Sequence, residues 1–102
     1  MDSSDFGRFS DPALLILASL AGGEKHGYAM MEDIEAMAGV HLGPGTLYGA
    51  LSRLEQSGLI QALPADERRR PYRLTAQGAV FLRRSLASLG KFVSQGLKRL
   101  EA

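Results

Sequence analysis

The chain has no cysteine. Disulfides and thiolate zinc sites are excluded, while the compartment is left open by that count alone. Long apolar runs are missing too. The longest, Ala13 to Ala21, falls far short of the roughly 20 residues that span a bilayer. The first residues, Met1-Asp2-Ser3-Ser4-Asp5, lack the basic segment that opens a signal peptide. The expectation is a cytoplasmic, soluble protein with no membrane contact. Catalytic groupings are also absent. His26 and His41 stand far apart, and no paired carboxylates fall in a plausible cleft. No nucleophile–base pair or metal set can be assembled, so an enzyme is rejected and no cofactor or metal is expected. Both histidines read as turn or capping residues. No internal repeat, low-complexity segment or inter-domain linker is visible.

What is present is a 102-residue chain with 45% apolar residues, enough for one globular domain or a domain with an arm. Its net charge of +1 hides an asymmetry. Residues 1–52 carry two basic and seven acidic side chains, whereas residues 53–102 carry ten basic and four acidic. Such a split hints at a polyanion-facing side. On charge alone, two ordinary solvated faces are the plainer explanation.

Residues 1–11 read as a polar arm with Phe6 and Phe9. Asp11-Pro12 is a helix start, with Asp as N-cap and Pro in the first turn. The helix it opens, Pro12 to Leu20, is apolar nearly all round and is the expected core helix. A turn at 21–25 leads to a second helix, His26 to Ala38. Tyr28, Met30, Met31, Ile34 and Met37 are expected to face in, with the methionines as core filler. Gly39 ends it.

The stretch from Gly43 to Gly58 reads as a short helix over 44–57 with both ends marked. Pro44 suits a first turn and Gly58 a stop. Leu47, Leu51 and Leu54 share one face. The remaining surface offers Thr46, Tyr48, Gly49, Ser52, Arg53 and Gln56, with no carboxylate except Glu55. The N–H groups at Gly45 to Leu47 are free to meet an anion. Two short helices with a tight Gly-bearing connection fit a helix-turn-helix pair.

Leu59 to Leu63 reads as a strand, 64–71 as a loop carrying Asp66-Glu67-Arg68-Arg69-Arg70, and Tyr72 to Leu74 as a returning strand. The connection is too long for a tight two-residue turn, which predicts a mobile basic tip. Thr75 caps a last helix from Ala76 to about Leu100. Ala79, Leu82, Leu86, Leu89, Val93, Leu97 and Leu100 form a nearly heptad stripe along it. At 1.5 Å per residue this helix runs to roughly 37 Å, longer than the small core before it. Leu82 and Leu86 can pack on the chain's own helices, and the rest of the stripe needs another partner.

These elements give a mainly α fold with a small β-hairpin. A helix fits the major groove of duplex DNA, and a basic hairpin beside it can hold phosphates or the minor groove. Here the chain resembles the PadR family of bacterial transcriptional regulators. The residues carrying the resemblance are Leu14-Leu15-Ile16-Leu17, His26-Gly27-Tyr28, Gly43-Pro44-Gly45-Thr46-Leu47-Tyr48, Leu51, Arg53-Leu54-Glu55 and Gly58-Leu59-Ile60. Arg70, Tyr72, Leu74-Thr75 and Gly78 follow in order. The likeness covers about residues 12–80. It implies a winged helix-turn-helix domain that dimerises through a C-terminal helix. The single such helix here is similar to the family's short subgroup. Members are typically repressors, and some respond to small aromatic or drug-like effectors. Nothing in this sequence identifies an effector.

The resemblance implies an N-terminal arm (1–11), a DNA-binding unit (12–75) and a dimerisation helix (76–102). On the recognition helix, Thr46, Tyr48, Ser52 and Arg53 are the candidate contacts, with the resemblance placing Thr46 and Tyr48 towards phosphates and groove. Gly45 offers its N–H and Gly49 permits close backbone approach. Arg53 could instead pair with Glu55 or another acid. Arg68, Arg69 and Arg70 are the wing cations, where phosphate or minor-groove contact is a better reading than mere solvation. Asp66 and Glu67 must turn away from any phosphate. Leu86, Leu89, Val93, Leu97 and Leu100 are the homodimer candidates, with Phe6 and Phe9 as contributors. Gly90 and Gly96 mark close contact with the partner. Phe81 and Phe92 are read as packing residues rather than an effector site. The leading function is a dimeric repressor on double-stranded DNA, reading a pseudo-palindromic operator. The alternative is a winged helix that holds a protein partner.

Overall fold

Asp11 begins the described fold. Its carboxylate accepts from the N–H groups of Ala13 and Leu14, at 3.0 and 3.4 Å, and Pro12 takes the first helical position. The structure, a computed structural model, describes residues 9–102. Most of the expected arm, Phe6 included, therefore lies outside the described residues. Helix α1 (Pro12–Ala21) is apolar on nearly every side. That places it in the middle, with Leu15, Ile16, Leu17 and Leu20 buried and the helix packed against the three helices that follow and the strand Pro71–Leu74.

Ser19 is the buried polar side chain of the core among the described residues. Its Oγ donates to Asp33 Oδ2 at 2.6 Å. Lys25 Nζ donates to the carbonyls of Ser19 and Gly23 and lies 3.9 Å from Asp33. The network satisfies a hydroxyl that would be costly to bury alone and ties the end of α1 to the next helix.

Strand β1 (Lys25–His26) precedes helix α2 (Gly27–Ala38). His26 is therefore a strand residue and N-cap, not the first helical residue. Gly39, at φ 68°, closes the helix as expected. Met30 and Ile34 are buried and Met31 partly so, but Tyr28 is 61% and Met37 48% exposed. The expectation that both faced inward fails. Tyr28 stands about 120° around the helix from Ile34, and one core face cannot take in both. Met37 lies in the last turn.

Helix α3 (Pro44–Gln56) follows, burying Leu47, Ala50, Leu51 and Leu54. Leu47 N–H donates to the Gly43 carbonyl, so the free first-turn donors reduce to Gly45 and Thr46. Gly58, at φ 78°, turns the chain into β2 (Ile60–Ala62). The returning strand β3 (Pro71–Leu74) is central in a three-stranded antiparallel sheet of order β1-β3-β2. Gln61 opposes Arg73 and Ala62 opposes Tyr72, while Lys25 opposes Tyr72 from the other edge.

The hairpin tip corrects the expectation that the connection holds no tight two-residue turn. Asp66 and Arg69 exchange both backbone hydrogen bonds, at 2.7 and 2.8 Å. Glu67 and Arg68 form the two-residue turn between them, with φ of 47° and 74°. This is the primed-turn geometry that Asn-Gly or Asp-Gly normally marks. Its use by Glu and Arg, each strained at positive φ, left no sign in the composition.

Helix α4 (Ala76–Glu101) is capped by Thr75, whose Oγ1 accepts from Gly78 N–H and donates to the Gly58 carbonyl. Only Gly78 and Leu82 of its 26 residues are buried. Leu89 is half-buried, whereas Leu86, Val93, Leu97 and Leu100 are exposed. The helix projects from the rest, and the molecule measures 55 × 32 × 20 Å. No helix of the described residues is long and apolar enough to cross a membrane.

Candidate nucleic-acid interface

Helix α3 and the hairpin meet above the start of α2. A cavity of about 360 Å³ lies between them. Tyr48 enters it from α3, Arg68, Arg69 and Arg70 from the hairpin, Tyr72 from β3, and His26, Gly27 and Tyr28 from the start of α2. Residues far apart in sequence thus converge on one hollow without a carboxylate in its lining.

Each side chain has a local reason to be there. A Cβ at position 27 would lie 2.6 Å from Tyr48 Oη and 3.2 Å from Leu47 Cδ2. The glycine is what lets the Tyr48 hydroxyl rest against α2. Arg69 Nη1 lies 3.2 Å from His26 Nε2. Arg70 Nη1 donates to the Leu63 carbonyl at 3.1 Å, bracing the base of the hairpin. Arg68 stands exposed at the tip. Burial pushes the Tyr72 phenol above its ordinary range. Glu55 and Tyr48 add to that rise and Arg70 opposes it. Tyr72 therefore stays a neutral hydrogen-bond donor in the floor of the hollow at working pH.

The other candidates lie along the outer face of α3. Gly45, Thr46 and Ser52 are exposed. Arg53 is also exposed and has no carboxylate within ion-pair distance among the described residues. The expected alternative, pairing with Glu55, is not formed. Its Nη1 instead lies 3.6 Å from the point a Gly49 Cβ would occupy. Asp66 and Glu67 do turn away. They line a separate hollow with Glu24 and Lys25 on the other side of the His26–Arg69 contact.

Sequence reasoning missed His26, Tyr28 and Tyr72 as members of this surface. His26 and Arg69 are separated by 43 positions, and no local pattern reports such a meeting. The one available signal was the His26-Gly27-Tyr28 run itself.

A helix-turn-helix pair, α2 and α3, followed by the β2–β3 hairpin, with β1 completing a three-stranded sheet, is a winged helix. Residues 16–84 match the transcriptional regulator PadR-like family, and the chain belongs to it. It is 37% identical over 89 residues to transcriptional regulator Rv3488 of Mycobacterium tuberculosis, covering 81% of this chain and 82% of that protein. It is 44% identical over 84 residues to an uncharacterized 37.1 kDa protein in transposon TN4556 of Streptomyces fradiae. That match covers 82% of this chain but spans only 24% of the transposon protein. Among solved structures, a PadR family transcriptional regulator from Eggerthella lenta superposes with a TM-score of 0.76 at 28% identity, over 88% of this chain and 81% of that one.

Proposed function

We propose that this chain is a dimeric, sequence-specific DNA-binding regulator, a repressor that reads a pseudo-palindromic operator through α3 and holds it with the 64–71 wing. The observation that carries the reading is the convergence of Tyr48 and three wing arginines on one carboxylate-free hollow. A helix fits the major groove, and arginines and hydroxyls beside it are the groups that take phosphate oxygens. In this reading Thr46, Tyr48, Ser52 and Arg53 face the groove and its edges. Gly45 donates its N–H, and Gly49 lets the backbone approach. Residues 12–75 form the DNA-binding unit, and α4 joins two copies through Leu86, Leu89, Val93, Leu97 and Leu100. The family match supports the regulatory role.

Selection of bound duplexes from a random pool tests this directly. The expected result is a two-fold symmetric motif with half-sites about one helical turn, ~34–36 Å, apart. On a selected duplex, replacing Arg68, Arg69 and Arg70 together with alanine weakens binding to all sequences alike. It also lowers the slope of log affinity against log salt by roughly 0.9 for each phosphate no longer neutralised. An unchanged slope would remove the wing from the DNA backbone.

Gly27→Ala separates binding from folding. The new methyl meets the far end of the exposed Tyr48 side chain, which can swing aside, and the Cδ2 end of buried Leu47 at 3.2 Å, which must give by a few tenths of an ångström. Stability should change by less than about 1 kcal/mol. The displaced hydroxyl, worth about one hydrogen bond, should cost roughly fivefold in DNA affinity. Equal losses in melting temperature and affinity would show that Tyr48 holds the fold rather than the ligand.

A further inference from the structure

His26 is a group that the reading above leaves unused. We propose that His26 and Arg69 together seat a backbone phosphate of duplex DNA, and that a proton is taken up at His26 when the complex forms. The inference rests on the DNA-binding reading and goes beyond it by adding a residue and a pH dependence.

The chemistry of the contact carries it. His26 Nδ1 accepts from the Ala29 N–H at 3.4 Å and caps α2. A neutral imidazole with its lone pair on Nδ1 carries its hydrogen on Nε2. Nε2 lies 3.2 Å from Arg69 Nη1. A guanidinium has donors and no acceptor. Two N–H groups therefore face each other with no oxygen between them. The other tautomer only moves the mismatch, because it turns an N–H towards the Ala29 N–H. Two donors compete for one lone pair in either case. An oxyanion beside Nε2 and Nη1 resolves this by accepting from both, whether the ring is neutral or charged.

The surroundings decide where such an anion sits. On one side of the contact, Arg68 and Arg70 of the hairpin, Tyr28 of α2, Tyr48 of α3 and Tyr72 of β3 line a cavity without a carboxylate. On the other side lie Glu24, Lys25, Asp66 and Glu67. The first side is open to an anion and the second repels one. A phosphate held there favours the charged imidazole, so binding and protonation are linked. Protonation sacrifices the Nδ1 cap but keeps Nε2–H aimed at the phosphate and adds a charge.

The sign of the pH dependence separates this role from a structural one. A histidine that only capped α2 or steadied the wing would do so through its lone pair, which protonation removes, and affinity would fall in acid. A phosphate seat gains affinity in acid. The test measures affinity for a pool-selected duplex, at fixed ionic strength, between about pH 8 and about pH 6, where histidine side chains change charge. Wild-type affinity should rise by several-fold, up to about tenfold per pH unit for each proton taken up. His26→Gln, which does not titrate, should show a flat profile over this range, whatever its affinity at the alkaline end. His41→Gln should keep the wild-type slope. Calorimetry of wild type in buffers of different ionisation enthalpy reads the proton uptake without any variant. A flat or inverted wild-type profile, the wild-type slope surviving in His26→Gln, or no proton uptake would each overturn the inference while leaving DNA binding standing. No binding at any pH would instead overturn the DNA reading, and this inference with it.

Discussion

With α4 joining two copies as proposed, Leu97→Glu should leave the protein as a single subunit. The apolar stripe of α4 continues well past the point where the chain's own core can cover it. Leu82 is buried, yet Val93 is 55%, Leu97 56% and Leu100 84% exposed. A row of large side chains left in water on a projecting helix marks an interaction surface. Their spacing, nearly heptad, suits a second helix of the same kind. Removing one buried leucine costs about 1.5–3 kcal/mol of burial, and a two-fold interface counts the change twice. Putting a carboxylate there adds its desolvation cost. Dimer affinity should fall by more than about a thousandfold. Sedimentation equilibrium should then give half the wild-type mass, and DNA affinity should collapse, because two linked half-site contacts become two separate ones. The α1–α3 core should remain folded, since Leu97 takes no part in it. If Leu97→Glu and wild type sediment alike, α4 does not join the subunits.

How much of this could be read from the sequence follows from the range of the forces involved. The helices were legible because their signals are local. Asp11-Pro12, Gly39, Thr75 and the 3–4 spacing of Leu47, Leu51 and Leu54 each act within a turn or two. Strand β1 was not legible, because two residues, Lys25 and His26, have no periodicity and become a strand only by pairing with Tyr72 and Pro71. The tight turn at Glu67–Arg68 was hidden by residues that seldom take positive φ. Tyr28 was misplaced because an aromatic side chain on a mostly apolar helix looks like core until the helix axis is fixed by its neighbours. The wing arginines and Tyr48 could be named from sequence, but their meeting with His26 depends on a sheet register that no short window contains.

Gly78→Ala should be the most damaging single methyl that can be added to the glycines of the described residues. Helix propensity alone predicts the reverse, since alanine in a helix is worth up to about 1 kcal/mol over glycine. Packing decides otherwise. A Cβ at position 78 would lie 2.0 Å from the Leu59 carbonyl oxygen, 2.8 Å from Leu74 Cδ1 and 2.9 Å from the Leu59 carbonyl carbon. Two of these are backbone atoms and cannot swing away. The Leu59 carbonyl is also held in place, because it accepts from the Thr75 N–H at 3.1 Å, while Thr75 Oγ1 grips the neighbouring Gly58 carbonyl at 2.7 Å. Relief requires moving the first turn of α4 by about 1 Å or more and loosening the join between helix, sheet and α3. A loss of about 3 kcal/mol is expected, a large share of the roughly 5–15 kcal/mol that holds a domain together. That corresponds to a melting temperature lower by about 12 °C or more. Gly49→Ala serves as the control in the same helix-glycine class. Its methyl would meet only Arg53 Nη1, at 3.6 Å, so the fold should hold or gain slightly while DNA loses its close approach. A Gly78→Ala protein that melts within a degree or two of wild type would mean that α4 does not seat on the Leu59 backbone.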